Sequence, residues 1–314
     1  MPNQNRPEIL QTHKLLASCE AALAERFTVH RLHEAQDREA LLTEIAPRVR
    51  AIAGGYVDKA LIDRLPALEI VANFGVGYDS IDTAAARARN VRVTNTPNVL
   101  NDAVAELTIG LMIALARRIP QADQFVRQGK WTPTSSFSLL TELNGKTLGI
   151  LGLGRIGKEI AVRAQAMKMR VVYHGRRRQT DEPFIFYDNL VDMARDSDWL
   201  VLIAPGGKGT EKIVSRQVLE ALGPEGFLVN VARGTLVDEA AMLELLQSKQ
   251  LGGAALDVFD KEPAMDPGFW TLDNVVLSPH QGSATHQTRN KMGDLVVANL
   301  AAHFAGEPLI SAVV

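Results

Sequence analysis

Three polar residues in the C-terminal half of the chain have side chains suited to acid–base chemistry on a small anion. Arg233 and His280 each follow a short apolar run that predicts a strand, and Glu262 lies in a turn between them. A guanidinium can orient a carboxylate and polarise the adjacent carbonyl, an imidazole can transfer a proton near neutral pH, and a carboxylate can orient that imidazole. Singly, each could be a surface residue or a structural ion-pair partner. Jointly, they predict a catalytic set for reducing a 2-keto acid.

Such a reduction needs a hydride donor, and residues 148–157, LGILGLGRIG, predict its binding loop. Gly152 permits a tight turn after a strand, Gly154 lets backbone approach a pyrophosphate, and Gly157 lets helix and strand pack closely. The phosphates would lie at the N-terminus of a helix predicted over 158–167, with Arg155 and Ile156 in the loop before it. Glycine-rich loops are common, but here strand, loop and helix come in the required order. We therefore predict a dinucleotide site.

The end of the next predicted strand indicates which dinucleotide binds. An NAD site usually has an Asp or Glu about 20 residues after the glycines, but this strand is followed by Gly175 and three arginines, and the first acid is Asp181. Guanidinium groups can bind a 2′-phosphate that a carboxylate would repel. We predict NADPH as cofactor, with weaker NADH binding; the alternative is a solvated basic turn. The predicted ligands are Arg176 and Arg177, with Arg178 beside them.

A second glycine turn, at 73–79, follows another predicted strand. The N–H groups of Val76 and Gly77 could bind a substrate carboxylate, although an ordinary turn would have the same sequence.

The elements around these residues alternate between strand and helix, which predicts parallel sheets covered by helices. Ser80 is a candidate cap for a helix over 81–88, and Asp102 for an apolar helix over 103–118. Residues 131–142 are predicted to be a loop, and a final helix to end at Gly306. The fold class is therefore α/β, with two doubly wound parallel-sheet domains.

Composition excludes several classes of protein. The 314 residues suit two domains, and a net charge of −2 argues against nucleic-acid or membrane partners. Cys19 is the only cysteine, which excludes an internal disulfide and a cysteine-based metal site, and we expect no metal. The N-terminal segment has no apolar signal core, so we expect a cytoplasmic protein.

The chain resembles the D-2-hydroxyacid dehydrogenase family in six stretches, which follow the family's order. They are NFGVGYDSID (73–82), NTPNVLNDAVAELTIGLM (95–112), GKTLGILGLGRIG (145–157), VNVARGTLVDE (229–239), ALDVFDKEP (255–263) and SPHQGSAT (278–285).

The resemblance implies a Rossmann coenzyme domain, residues 99–285, inserted into a flavodoxin-like substrate domain formed by 1–98 and 286–314. It implies substrate binding by Val76, Gly77, Arg233 and His280, and a homodimer in which the helix after 103 contributes to the interface. Asp257 corresponds to a residue near the nicotinamide and Thr108 to one near the phosphates. The other cofactor positions are Ala204, Pro205, Val231, Ala232, Arg233, His280 and Gly282.

Within the family, the basic turn resembles that of NADPH-preferring glyoxylate/hydroxypyruvate reductases. Plant-type hydroxyphenylpyruvate reductases share the same pattern, so an aromatic substrate stays open. A protein of another class, a scaffold that senses the dinucleotide without turnover, would have the same fold.

Overall fold

The computed structural model describes residues 6–314. Met1–Asn5 lie outside the described residues; they form half of the N-terminal segment that was predicted to have no signal core. The chain divides into two compact units, Met1–Leu100 with Ser283–Val314, and Asn101–Gly282. Each unit is a parallel sheet covered by helices, which confirms the predicted α/β class.

The first unit contains a five-stranded sheet in the order β2-β1-β3-β4-β5. Buried Ile, Val and Ala fill its central strands, as expected for a sheet covered on both faces. The strands are β1 (Glu8–Gln11), β2 (Thr28–Arg31), β3 (Val49–Ala53), β4 (Ile70–Ala72) and β5 (Arg92–Thr94). The helices are α1 (Ala17–Arg26), α2 (Arg38–Ile45), α3 (Lys59–Arg64), α4 (Thr83–Ala88) and the C-terminal α11 (His286–Ala305).

The final helix packs on the sheet of the first unit through an apolar stripe that includes Val296 and Leu300. Its neighbour α1 approaches so closely that a Cβ atom on Gly293 would lie 2.8 Å from Cβ of Cys19. Gly306 ends the helix in the left-handed conformation, as predicted.

The second unit contains a seven-stranded sheet in the order β12-β11-β10-β9-β6-β7-β8. The strand order reverses at β6, and in such sheets ligands bind beyond the carboxyl ends of the strands at this point. The strands are β6 (Thr147–Leu151), β7 (Arg170–His174), β8 (Ile185–Tyr187), β9 (Trp199–Leu202), β10 (Phe227–Asn230), β11 (Gly253–Leu256) and β12 (Val275–Leu277). The helices are α5 (Asn101–Ala116), α6 (Ile119–Arg127), α7 (Arg155–Ala166), α8 (Leu190–Arg195), α9 (Arg216–Leu222) and α10 (Glu239–Gln247).

Both predicted N-caps are wrong. The cap of α4 is Asp82, whose carboxylate accepts a hydrogen bond from Ala85 N–H at 2.8 Å, because the chain up to Ile81 is still held in a bridge to Val57. Helix α5 begins two residues earlier than predicted, so Asp102 lies inside its first turn and pairs with Arg163 at 2.6 Å.

Two elements were not predicted: α6, which begins after Arg118 takes a left-handed φ of 43°, and the three-residue strand β8. Residues 131–142 form no helix or long strand, in agreement with the predicted loop. Between residues 6 and 314, no helix is long and apolar enough to cross a membrane. The same range contains no group of three or more His, Cys, Asp or Glu side chains placed to hold a metal ion.

Candidate active site

The glycine-rich loop connects β6 to α7 and has the geometry that a dinucleotide needs. Gly152 has φ +101°, and a Cβ atom there would lie 2.8 Å from the backbone nitrogen of Ala204, at the end of β9. A Cβ atom on Gly157 would lie 2.4 Å from the Gly152 carbonyl oxygen, so the helix can pack here only without a side chain. Gly154, in contrast, faces open space. The loop therefore fits a pyrophosphate at the exposed start of α7, beside Arg155 and Ile156.

The basic turn follows β7, the strand next to β6. Arg176, Arg177 and Arg178 are exposed, and among residues 6–314 their side chains form no ion pair or hydrogen bond. A Cβ atom on Gly175 would contact nothing within 4 Å. The turn thus presents three guanidinium groups without a protein carboxylate to neutralise them, which suits a phosphate ligand.

The loop after β10 carries Arg233 and is shaped by Asn230. The Asn230 side chain is 1% exposed, accepts from Ala232 N–H at 3.0 Å and donates to the Arg233 carbonyl at 2.8 Å. A Cβ atom on Gly234 would lie 1.9 Å from the Phe259 carbonyl carbon, so only glycine lets this loop approach the one that carries Glu262. The sequence analysis did not identify Asn230; the available signal was a polar residue ending an otherwise apolar strand.

Glu262 and His280 are in direct contact. The carboxylate accepts from Phe259 N–H at 3.0 Å through one oxygen and lies 2.6 Å from Nδ1 of His280 through the other. Burial alone would raise the pKa of Glu262. The hydrogen bonds from His280 and Phe259, together with the positive charges of His280 and Arg233, have the larger effect, so the pKa is lowered. Glu262 is therefore an anion at neutral pH.

Asp257 fixes the loop that carries His280. It is 1% exposed, and its carboxylate accepts from the Ser278 hydroxyl at 2.6 Å and from the N–H groups of Gln281 and Gly282 at 2.8 and 2.9 Å. His280 itself has a left-handed φ of +50°, and its N–H donates to the Asp257 carbonyl at 2.8 Å. Asp257 thus fixes the backbone of His280; its contact with a nicotinamide stays a prediction, and Ser278 was not anticipated.

The remaining predicted cofactor positions differ in exposure. Pro205 is exposed, whereas Ala204, Val231 and Ala232 are buried at strand ends. Thr108 is fully buried within α5, and its hydroxyl donates to the Val104 carbonyl at 2.7 Å. Its role near the phosphates stays a prediction and would require that hydroxyl to change partners.

In the first unit, the turn after β4 is held by its carbonyl groups. Asn73, 4% exposed, donates from Nδ2 to the carbonyls of Gly75 and Gly77 at 3.1 and 2.8 Å, and Asn95 donates to that of Val76 at 2.9 Å. The N–H groups of Val76 and Gly77 have no acceptor among residues 6–314. Two free donors on a fixed turn can bind a carboxylate.

Comparisons with known proteins agree on one family. Residues 109–282 match the NAD binding domain of D-isomer specific 2-hydroxyacid dehydrogenases. The chain is 45% identical over 298 residues to glyoxylate/hydroxypyruvate reductase A of Arabidopsis thaliana. It is 44% identical over 298 residues to hydroxyphenylpyruvate reductase of Plectranthus scutellarioides. Each alignment covers 94% of this chain and 95% of the relative. A solved structure of an NADPH-dependent glyoxylate/hydroxypyruvate reductase from Sinorhizobium meliloti, in complex with NADP and malonate, matches with a TM-score of 0.94 and 43% identity, covering 98% of this chain and 97% of that one.

The two relatives and the solved structure match nearly the whole chain, including every stretch on which the resemblance was based. They confirm that resemblance. The chain belongs to the D-isomer specific 2-hydroxyacid dehydrogenase family of oxidoreductases.

Proposed function

We propose that this protein reduces small 2-keto acids, glyoxylate and hydroxypyruvate in particular, to 2-hydroxy acids, and that it uses NADPH in preference to NADH. The observation that carries the proposal is the 2.6 Å contact between His280 and Glu262, beside Arg233 and in the unit that also contains the glycine-rich loop. The names of the similar proteins from Arabidopsis thaliana and Sinorhizobium meliloti support the same substrates.

In this proposal, each of the three residues has a distinct task. Arg233 binds the substrate carboxylate and polarises the adjacent carbonyl. His280 donates a proton from Nε2 to the carbonyl oxygen, because Nδ1 faces Glu262. Glu262 keeps the ring oriented and stabilises its protonated form. When bound, the reduced nicotinamide supplies the hydride that becomes the new C–H bond at C2.

We propose that Val76 and Gly77 also bind substrate, through backbone N–H groups that have no acceptor among residues 6–314. We propose that residues 1–98 and 286–314 form the substrate domain and 99–285 the coenzyme domain.

The test is the absorbance of reduced nicotinamide at 340 nm during incubation of the protein with NADPH or NADH and each keto acid. We expect rapid oxidation of NADPH with glyoxylate and hydroxypyruvate, slower oxidation of NADH, and recovery of D-glycerate from hydroxypyruvate. A clear preference for 4-hydroxyphenylpyruvate would instead assign the protein to the activity named for the Plectranthus relative. Binding of NADPH without oxidation on any keto acid would indicate a dinucleotide-sensing scaffold.

We also propose a homodimer. Large apolar side chains between α5 and β6 are exposed, including Trp131 at 71% and Leu139 at 101%, and a partner surface would cover them. Light scattering of the purified protein should give twice the mass of the 34.2 kDa chain; a monomer mass would contradict the proposal.

A further inference from the structure

We infer that Gln179 is a positioning residue for cofactor selection, which holds the basic turn 175–178 against the glycine-rich loop. The inference rests on the proposed preference for NADPH. Gln179 is uncharged and directly follows the three arginines in the sequence.

Three hydrogen bonds fix Gln179. Its side-chain amide donates from Nε2 to the Leu153 carbonyl, in the glycine-rich loop, at 2.6 Å. Its backbone N–H donates to the Tyr173 hydroxyl at 2.7 Å, and that hydroxyl in turn approaches the Gln179 carbonyl at 3.4 Å. Tyr173 is 1% exposed, with its ring 5.3 Å from that of Phe186, so it is a rigid support. One residue thereby joins the end of the basic turn to the middle of the phosphate loop.

A second contact holds the chain just beyond the turn. Lys158, in the first turn of α7, pairs with Glu182 at 2.6 Å. The first contact joins Gln179 to the glycine-rich loop, and the second joins Glu182 to helix α7, which follows that loop. Both contacts are made by residues on the C-terminal side of three adjacent arginines. The like charges of these arginines repel one another and favour a spread turn when no phosphate is bound. A turn that is already fixed loses less conformational entropy when it binds a phosphate.

The sheet does not need Gln179 for its own integrity. Strands β6 and β7 are paired along five residues each, and Gly152 N–H donates to the His174 carbonyl at 2.9 Å. Gly154 N–H donates to the Gly152 carbonyl at 2.9 Å, which keeps the glycine turn closed independently. Loss of the Gln179 side chain should therefore release the basic turn while leaving the pyrophosphate loop in place.

The test is to replace Gln179 by Met, which keeps the length of the side chain and removes its donor, in the full-length protein. Thr180→Ala is the matched control, because within residues 6–314 the exposed Thr180 hydroxyl has only a 3.4 Å contact, with its neighbour Asp181. Tyr173→Phe is the second variant, which removes the hydroxyl that accepts from Gln179 N–H.

Dissociation constants for NADPH and NADH are measured by nicotinamide fluorescence without substrate. Adenosine 2′,5′-bisphosphate is used as a competitor that has the 2′-phosphate and no nicotinamide. Melting temperatures check folding.

In Gln179→Met we expect the Kd for NADPH and for the bisphosphate to rise about fivefold, equivalent to about 1 kcal/mol. NADH binding should change less than twofold, and kcat at saturating NADPH should stay at the wild-type value. Tyr173→Phe should change in the same direction and Thr180→Ala should not change. Equal weakening of NADPH and NADH, or an unchanged Kd for NADPH, would overturn the inference while leaving the proposed function intact. A wild-type protein without any preference for NADPH would overturn both.

Discussion

Nδ1 of His280 lies 2.6 Å from Oε2 of Glu262, although 18 positions separate the two residues in the chain. Two hydrogen-bonded supports hold this contact in place. The buried Asp257 carboxylate accepts from backbone N–H groups of the loop that carries His280. Phe259 N–H donates to the other carboxylate oxygen of Glu262. Because Nδ1 faces the carboxylate, Nε2 is the ring atom left to exchange a proton with a substrate.

Replacing Glu262 by Gln should reduce kcat about 10- to 100-fold, at or below the lower end of the roughly 10²- to 10⁴-fold effect of an acid–base group, because Glu262 acts through His280. The amide can still contact the ring but carries no charge to stabilise imidazolium. The Kd for NADPH should not change. Initial rates and a fluorescence titration measure both quantities, and a kcat within twofold of wild type would show that the carboxylate charge is unimportant.

The lowered pKa of Glu262 also predicts a pH-dependent stability. Its pKa is lower in the folded chain than its ordinary value of 4.5, so the unfolded chain binds more protons as the pH falls past that value. The stabilising contribution of the anion is therefore fully present above that pH and is lost as the pH falls through the folded pKa. Solvent screening should keep it below about 1 kcal/mol, since the His280 side chain is 47% exposed. Urea unfolding of wild type and Glu262→Gln from pH 7 to 3 should give a difference that shrinks towards acid; a growing difference would contradict the assignment.

The double substitution Arg176→Ala with Arg177→Ala should weaken NADPH about 10- to 100-fold and NADH less than threefold, because two charge-assisted hydrogen bonds to the 2′-phosphate are lost. The salt dependence of NADPH binding should also decrease. Arg195→Ala is a suitable control, since that exposed arginine pairs with Asp192 at 2.6 Å. Equal losses for both cofactors would remove the phosphate role.

Asn73→Ala should raise the KM for the keto acid about 10-fold and leave the Kd for NADPH unchanged. The turn would lose the two side-chain bonds that hold the carbonyls of Gly75 and Gly77, and with them the alignment of its N–H donors. Asn95→Ala, which removes the bond to the Val76 carbonyl, is a milder second variant if Asn73→Ala melts too early. A KM equal to wild type in both folded variants would mean that this turn does not bind substrate.

Much of the fold could be predicted from hydrophobic periodicity and turn residues. Strand β6 directly precedes Gly152, as predicted, because its apolar run begins after a polar segment and ends at that glycine. Strand β8 was missed because it has three residues at the sheet edge, where burial imposes little pattern. The break before α6 depends on a left-handed conformation at Arg118, which is rare for arginine and has no local sequence signal.

The strand-end positions of the candidate catalytic residues could be inferred from the sequence, whereas the residues that support them could not. Arg233 and His280 stand after apolar strands, so their positions could be inferred from local sequence. Asn230, Ser278 and Gln179 act through hydrogen bonds to partners fixed by the tertiary structure. Only the folded chain shows which backbone groups those side chains reach.

The most direct test of the account is the rate at which the His280→Ala protein oxidises NADPH with glyoxylate, with the enzyme fully loaded with NADPH. We expect a decrease of about 10²- to 10⁴-fold with the Kd for NADPH unchanged, because the proton donor is lost and the dinucleotide loop is not. His286→Ala, at the exposed first residue of α11, should keep the wild-type rate. A rate for His280→Ala within tenfold of wild type would contradict the central claim.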